Sequence, residues 1–379
     1  MRVVVVAPHF PEYAFHYAEA LAGRAEVLLI ADAGQFNDEF EGRFPSTHCS
    51  SVRLMKFKSP LDLFALLVTI LRVWPEFVHF QEAVGPRRRL FNFVAGLFCK
   101  LFATIVLTVH DPVPHEGRDH KQDQRSRRLA IWLRELADVV VVHGEYCEHL
   151  YRSHHSVAHQ RLIVSRHGVI LQADRVHSSH SNPGEAGRHP RVARFLVFGR
   201  MESYKGLETL SRALDHTEMT EVEYELVVAG TGPELDRLEA AFTEYPSVTV
   251  HNRYIDPLSL MSELEMADCV VLPYTSATQS GVLAAAFGSG CFVVASNVGG
   301  LSDLVEDGEN GLLVEAGDDH GLAQAISRVA RDLELRRHLA SGAAKTAETS
   351  LSWDLIADKI VAELGTFRSA DLRRSQTVE

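Results

Sequence analysis

Arg200 and Lys205 share the stretch FGRMESYKG, Phe198–Gly206, where an apolar run gives way to a loop. Two cations in a strand-to-helix loop can clamp a diphosphate. The guanidinium does so by a fork and the ammonium as a point charge, and both stabilise a leaving nucleoside diphosphate. Gly199 leads into them. Gly230 and Gly232 frame a tight turn in ELVVAGTGP, with Pro233 opening the next helix. In PYTSATQSGVL, Gln279, Ser280, Gly281, Val282 and Leu283 form a polar loop and a helix start. Small residues there let a ligand approach the backbone, and free amides can hold phosphate or sugar oxygens. Asp303, after Gly299 and Gly300, suits a hydroxyl or ribose contact. Singly, each piece also has a plain reading: solvated charges, a turn, an N-cap, an exposed acid.

In the first half, LTVHDPVPHEG ends an apolar run at His110 and Asp111. At this strand end the side chains of His110 and Asp111 could enter a cleft, His110 as an acid–base candidate and Asp111 to fix its tautomer or meet a hydroxyl. His115 follows in the loop, and Glu82 ends the neighbouring run VHFQEA; both read as acceptor-side groups. The alternative for His110 is a histidine satisfied by backbone at a strand end. His110, His115, His120 and Asp111 lack common metal-ligand spacing, and the chain has no DxD. The expectation is no metal and no cofactor, a nucleotide-sugar being a substrate.

Short β-branched runs alternate with helical patterns in both halves. Strands apolar on both faces are parallel strands covered by helices. The fold class is therefore α/β, with two doubly wound domains. Open sheets of this kind bind ligands at the carboxyl ends of their strands. The expected boundaries are an acceptor-binding domain 1–172, a polar linker 173–190 rich in Ser, Gly, Pro and His, and a donor-binding domain 191–350. A helix 351–367 returning to the first domain and a flexible tail 368–379 follow.

The 379 residues suit two domains, and 46% hydrophobic residues suffice for two cores. A net charge of −12 argues against a nucleic-acid partner. The five cysteines are scattered with no CxxC, which suits a reducing, cytoplasmic compartment. The opening MRVVVVAPHF reads as a buried strand, not a signal peptide. Residues 56–100 combine Lys56, Lys58 and Arg87–Arg89 with Phe91, Phe93 and Phe98. That cluster reads either as a core helix with a solvated basic end or as a peripheral contact with the inner face of an anionic membrane.

Order and spacing of the C-terminal pieces resemble the retaining glycosyltransferases of GT-B fold, family 4 (glycosyl transferases group 1). The likeness lies in a GR…KG loop, a GxGP turn, a GG-x-x-D and a DG-x-x-G-LV segment. It implies two Rossmann-like domains facing across a cleft. It also implies Arg200 and Lys205 on the donor diphosphate, with Gly281, Val282 and Leu283 lining it, and a functional histidine at His110. The reaction implied is metal-independent transfer from a nucleotide-sugar, UDP-sugar first and GDP-mannose second. Its acceptor would be a hydroxyl of a glycan or lipid-linked sugar, with the anomeric configuration retained. One departure is plain: the family's paired glutamates fall at Ala277 and Ala285. The chain resembles a branch with QSGVL in that place, with Gln279 standing in as the sugar's hydrogen-bonding group. A catalytically inactive GT-B partner protein and a sugar-nucleotide epimerase are the alternatives.

Overall fold

The computed structural model describes all residues except 41–46, 49–50, 114–123, 157–158, 171–191 and 377–379; for 124–125 and 368–376 it describes only the backbone. The expected linker 173–190, His115, His120 and Cys49 therefore lie outside the described residues. The chain divides into two compact units. Of the described residues, one comprises those within Met1–Val113, Arg118–Gly168 and Trp353–Glu379, and the other those within Val169–Ser352.

The first unit holds β1 (Arg2–Ala7), β2 (Glu26–Asp32), β3 (Ser51–Met55), β4 (Phe77–Gln81), β5 (Thr104–Val109), β6 (Val139–His143) and β7 (Arg161–Ser165). They form one parallel sheet of order β3-β2-β1-β4-β5-β6-β7. Strand order reverses between β1 and β4, the place where open α/β sheets bind ligands. Strands such as VVVV in β1 and VVVVH in β6 are buried along their length. Helices α1 (Pro11–Ala22), α2 (Ala33–Glu39), α3 (Pro60–Val73), α4 (Pro86–Cys99), α5 (Gln124–Leu136) and α6 (Glu145–His154) connect them. Local chemistry starts these helices. Ser59 and Asp62 close a reciprocal capping box on α3, and Asp32 caps α2 through the amides of Gly34 and Gln35. His79, midway along β4, is a core histidine: Tyr17 Oη lies 2.9 Å from Nδ1 and Thr108 Oγ1 2.7 Å from Nε2.

The second unit repeats the plan with β8 (Ala193–Arg200), β9 (Tyr224–Thr231), β10 (Val248–Asn252), β11 (Cys269–Leu272), β12 (Phe292–Ser296) and β13 (Gly311–Val314). Its parallel order is β10-β9-β8-β11-β12-β13, so the reversal falls between β8 and β11. Helices α7 (Leu207–Leu214), α8 (Thr217–Thr220), α9 (Pro233–Thr243), α10 (Pro257–Met266), α11 (Gly281–Gly288), α12 (Asp319–Arg331) and α13 (Leu333–Ser350) complete it. The helical pattern from His320 to Glu334 is interrupted at Asp332. That residue is extended and its carboxylate caps α13 through the Leu335 amide at 2.9 Å. Cys269 and Cys291 are buried, as expected of small hydrophobes.

Helix α14 (Trp353–Gln376) belongs to the first unit and continues past residue 367. Its first residue seats on Gly168, where a Cβ would come within 2.4 Å of the Trp353 ring. Arg24 of the α1–β2 turn pairs with Asp354 at 2.9 Å and Asp358 at 2.5 Å, tying α14 to the sheet's cover.

Candidate functional site

In the second unit the expected donor residues gather at the carboxyl edge of the sheet. Arg200 is the last residue of β8 and is exposed. Lys205 ends the 3-10 turn Ser203–Lys205 and is only 6% exposed. Its ammonium donates to the Tyr274 hydroxyl and lies 4.1 Å from the centroid of that ring. Among the described residues no carboxylate pairs with it. Burial, and then the positive charge of Arg200, pull the Lys205 pKa down to about 7. Two cations held together without an anion form a site in want of one.

The backbone around them is shaped by glycine. Gly199, Gly230 and Gly232 adopt φ of 115°, 152° and 156°. A Cβ at Gly230 would lie 2.0 Å from the Gly199 carbonyl oxygen, so β8 and β9 run out side by side only without side chains there. Gly206 has φ 67°, and its Cβ would lie 1.7 Å from the Pro273 carbonyl oxygen. Gly206→Ala is therefore expected to destabilise the protein by roughly 2 kcal/mol or more and to displace Lys205; chemical denaturation measures the first effect. An unchanged stability would show that this turn yields easily.

Ser280 caps α11, accepting from the Leu283 amide at 3.1 Å. The ordinary capping role is thus real, yet it uses one amide. Those of Gly281 and Val282 remain at a helix start, where intrahelical partners are lacking. Val282 approaches Gly199, whose Cβ would be 3.6 Å from its Cγ2. Gln279 Oε1 is buried with no hydrogen-bond partner among the described residues. Ala277 and Ala285 are walled into the apolar core. Asp303 is half-buried just beyond the turn Gly299–Leu301, which Gly300 lets pass close to Thr278.

In the first unit His110 and Asp111 follow β5, with His110 4% exposed. His110 Nε2 lies 3.1 Å from Gln81 Oε1, at the end of β4. With the amide oxygen accepting, the ring proton sits on Nε2 and Nδ1 keeps its lone pair. Burial and the neighbouring histidines hold the His110 pKa well below its usual value, so the ring is neutral. Gln81, not Asp111, therefore fixes the tautomer. The Asp111 carboxylate acts instead on His143 and His167, lifting their pKa against the stronger effect of burial.

Glu82 departs from its expected acceptor role. Its two carboxylate oxygens take Nε and Nη2 of Arg134 at 2.8 and 2.9 Å. Arg134 also donates to the carbonyls of Asp111 and Pro112, both at 2.9 Å. The buried pair fastens the chain leaving β5, and removing either partner would strand a buried charge.

Three groups that sequence reasoning did not rank complete the cluster. Tyr13 of α1 packs its ring 4.8 Å from His110, 5.4 Å from His143 and 5.1 Å from His167. His143 ends β6, and its pKa is pushed down to about 3 by burial. Phe10, left-handed at φ 55°, packs its ring 4.5 Å from that of His110 at a 45° tilt, so the first strand-to-helix loop carries local strain at the site. The signal for Gln81 and His143 was available: each is the polar end of an apolar strand.

Residues 193–332 match the family described as Glycosyl transferases group 1. Glycogen synthase of Mycobacterium tuberculosis is 30% identical over 176 residues, covering 45% of this chain and 42% of that protein. The chain thus spans less than half the length of that curated relative. Among solved structures, sucrose-phosphate synthase from Thermosynechococcus elongatus superposes with TM-score 0.73 at 21% identity, covering 98% of this chain and 100% of that one. Anabaena HepE in complex with UDP-glucose gives TM-score 0.70 at 18% identity, covering 97% and 100%. These likenesses carry the fold, which is GT-B with two Rossmann-like units.

Proposed function

We propose that the chain is a glycosyltransferase of the retaining, metal-independent kind. It would move a sugar from a nucleotide-sugar, a UDP-sugar first and a GDP-sugar such as GDP-mannose second, to a hydroxyl of a glycan or lipid-linked acceptor. The observation that carries this reading is Lys205: a buried lysine beside Arg200, without a carboxylate, at the edge where glycines bare the backbone. A diphosphate supplies the missing charge, and both cations then stabilise it as it leaves. The orphaned Gln279 oxygen asks for a donor, and a sugar hydroxyl is one. That compensates for the alanines where family members carry carboxylates. The neutral His110, its Nδ1 lone pair free of the Gln81 bond, is assigned to a hydroxyl of the reacting sugars. The leaving phosphate helps deprotonate the acceptor, so no protein nucleophile is required.

Thermal-shift screening against UDP-, GDP-, ADP- and TDP-sugars, followed by NMR of the product's anomeric centre, tests the proposal. An inverted product overturns retention. Absence of turnover with every donor and acceptor hydroxyl offered would favour an inactive partner protein, for which Ala277 and Ala285 argue.

Donor binding also carries a pH signature. Free Lys205 titrates near 7, and a bound diphosphate raises that value. The protein must take up a proton to bind above pH 7. Affinity for UDP is then expected to fall as pH rises from 7 to 9, by up to about tenfold per unit. Calorimetric titration in buffers of differing ionisation enthalpy reads both; constant affinity over that range would remove Lys205 from the diphosphate.

For a lipid-linked acceptor the adjoining helices α3, α4 and α5 are the expected contact. Leu61, Phe64, Trp74, Leu90, Leu97, Leu101 and Trp132 are exposed across them, with Lys56, Lys58, Arg72 and Arg87 also exposed. No helix of the described residues is long and apolar enough to cross a membrane. Sedimentation with phosphatidylglycerol-containing vesicles is expected, and it should be lost in Phe64→Glu/Leu101→Glu. Equal sedimentation of both proteins would dismiss this face.

A further inference from the structure

Outside the donor constellation, the second unit carries a cluster to which no role has been given. His216 and Glu218 belong to the start of α8; Asp319 and His320 are the first two residues of α12. The pairing is crosswise. His216 Nε2 meets Asp319 Oδ2 at 2.7 Å, and His320 Nε2 meets Glu218 Oε1 at 2.9 Å. The two imidazoles are 5.1 Å apart, centroid to centroid. Ligand atoms of His216, Glu218 and His320 all lie within 4.8 Å of one another. Glu218 and Asp319 also accept from their own backbone amides, but neither helix takes its side-chain cap from this cluster. His216 occupies the N-cap of α8 without making a side-chain capping bond. At α12 the capping is done by Asp318, which takes the Gly321 amide at 2.9 Å and leaves Asp319 and His320 to face α8. Buried Met219 and Leu322, one on each helix, fix the two starts against the core.

We infer that His216, Glu218, Asp319 and His320 form a site for a divalent transition-metal ion of the zinc class, which clips α8 to α12. Two imidazole nitrogens and two carboxylate oxygens suit zinc, whereas magnesium and calcium prefer oxygen alone. His216, Glu218 and His320 already converge, and Asp319, whose other oxygen lies 3.7 Å from Arg212 Nε, stands beside His216 as the fourth candidate ligand. The ion takes the place of the hydrogen bonds that now cross between the helices. Because it joins secondary elements, its role is structural. It leaves the metal-independence of the proposed transfer untouched.

The test uses the full chain after chelation and dialysis. Titration with ZnCl2 is expected to show one saturable site per chain and to raise Tm by roughly 3–6 °C at saturation. MgCl2 at the same concentration should do neither. His216→Ala/His320→Ala should abolish the site while donor binding persists; these residues are partly exposed, so folding is little affected. Cobalt gives a reading on the unaltered protein: an intense tetrahedral visible spectrum without a thiolate charge-transfer band supports this site. A thiolate band, which would place the ion on cysteine, overturns it, as does equal zinc binding by the double variant.

Discussion

Lys205→Met is expected to lower turnover by on the order of 100-fold or more while raising the stability of the ligand-free protein. On the proposed function, the loss follows from taking away a charge aimed at the leaving diphosphate, an interaction that strengthens as the bond breaks. The gain follows from burial. Lys205 is 6% exposed and its pKa has fallen from 10.5 to about 7, so between those values the unfolded chain binds the proton more tightly than the folded one. The sign is then fixed: stability of the wild-type protein rises with pH from 7 towards 10.5, because the folded state is relieved of a penalty as the unfolded lysine also loses its proton. Near pH 8 the penalty is about 3 kcal/mol, and losing the bond to Tyr274 returns about 1 kcal/mol of it. Methionine keeps the apolar stem and removes the charge, so the net gain is about 2 kcal/mol and the pH slope flattens. Turnover close to wild type would remove Lys205 from catalysis. A fall in both activity and Tm would make it a structural residue.

His110→Ala is expected to cut kcat by about 100-fold and to leave UDP affinity within about twofold. The separation arises because the ring stands in the first unit at the end of β5, whereas the expected diphosphate contacts belong to the second. Gln81→Leu provides the discriminating partner. It keeps the imidazole but removes the amide oxygen at 3.1 Å that holds the proton on Nε2. A fall of about tenfold in kcat with KM for the donor unchanged is the outcome expected of a tautomer-fixing residue. If Gln81→Leu lowers Tm but not kcat, the bond to His110 is only packing. A UDP affinity that collapses in His110→Ala would move the histidine to the nucleotide.

Much of this was legible in the chain. Runs such as VVVV, TIVLTV and VVVVH are buried on both faces, and only a parallel sheet between helices uses them that way. The β3 strand SVRLM was not, because it is an edge strand whose exposed Ser51 and Arg53 alternate with only half-buried Val52 and Leu54, and it resembles a loop. The short helices α2, α6 and α8 escaped for a similar reason: a few turns or less offer little periodicity to read.

The sheet-edge stretch from Arg200 to Asp303 was likewise visible, because the residues of a strand-to-helix loop are local in sequence. Its residue types and spacing determined which groups reach the sheet edge. Only the tertiary structure decided their state. Tyr274, 69 residues along, buries Lys205 and makes it a lysine that titrates near neutrality. The pairing of β4 with β5 brings Gln81 to His110, and α5 brings Arg134 to Glu82, turning an expected acceptor contact into an anchor. Burial and partnership are properties of what surrounds a side chain, and in a parallel sheet the neighbours come from strands and helices tens of residues away.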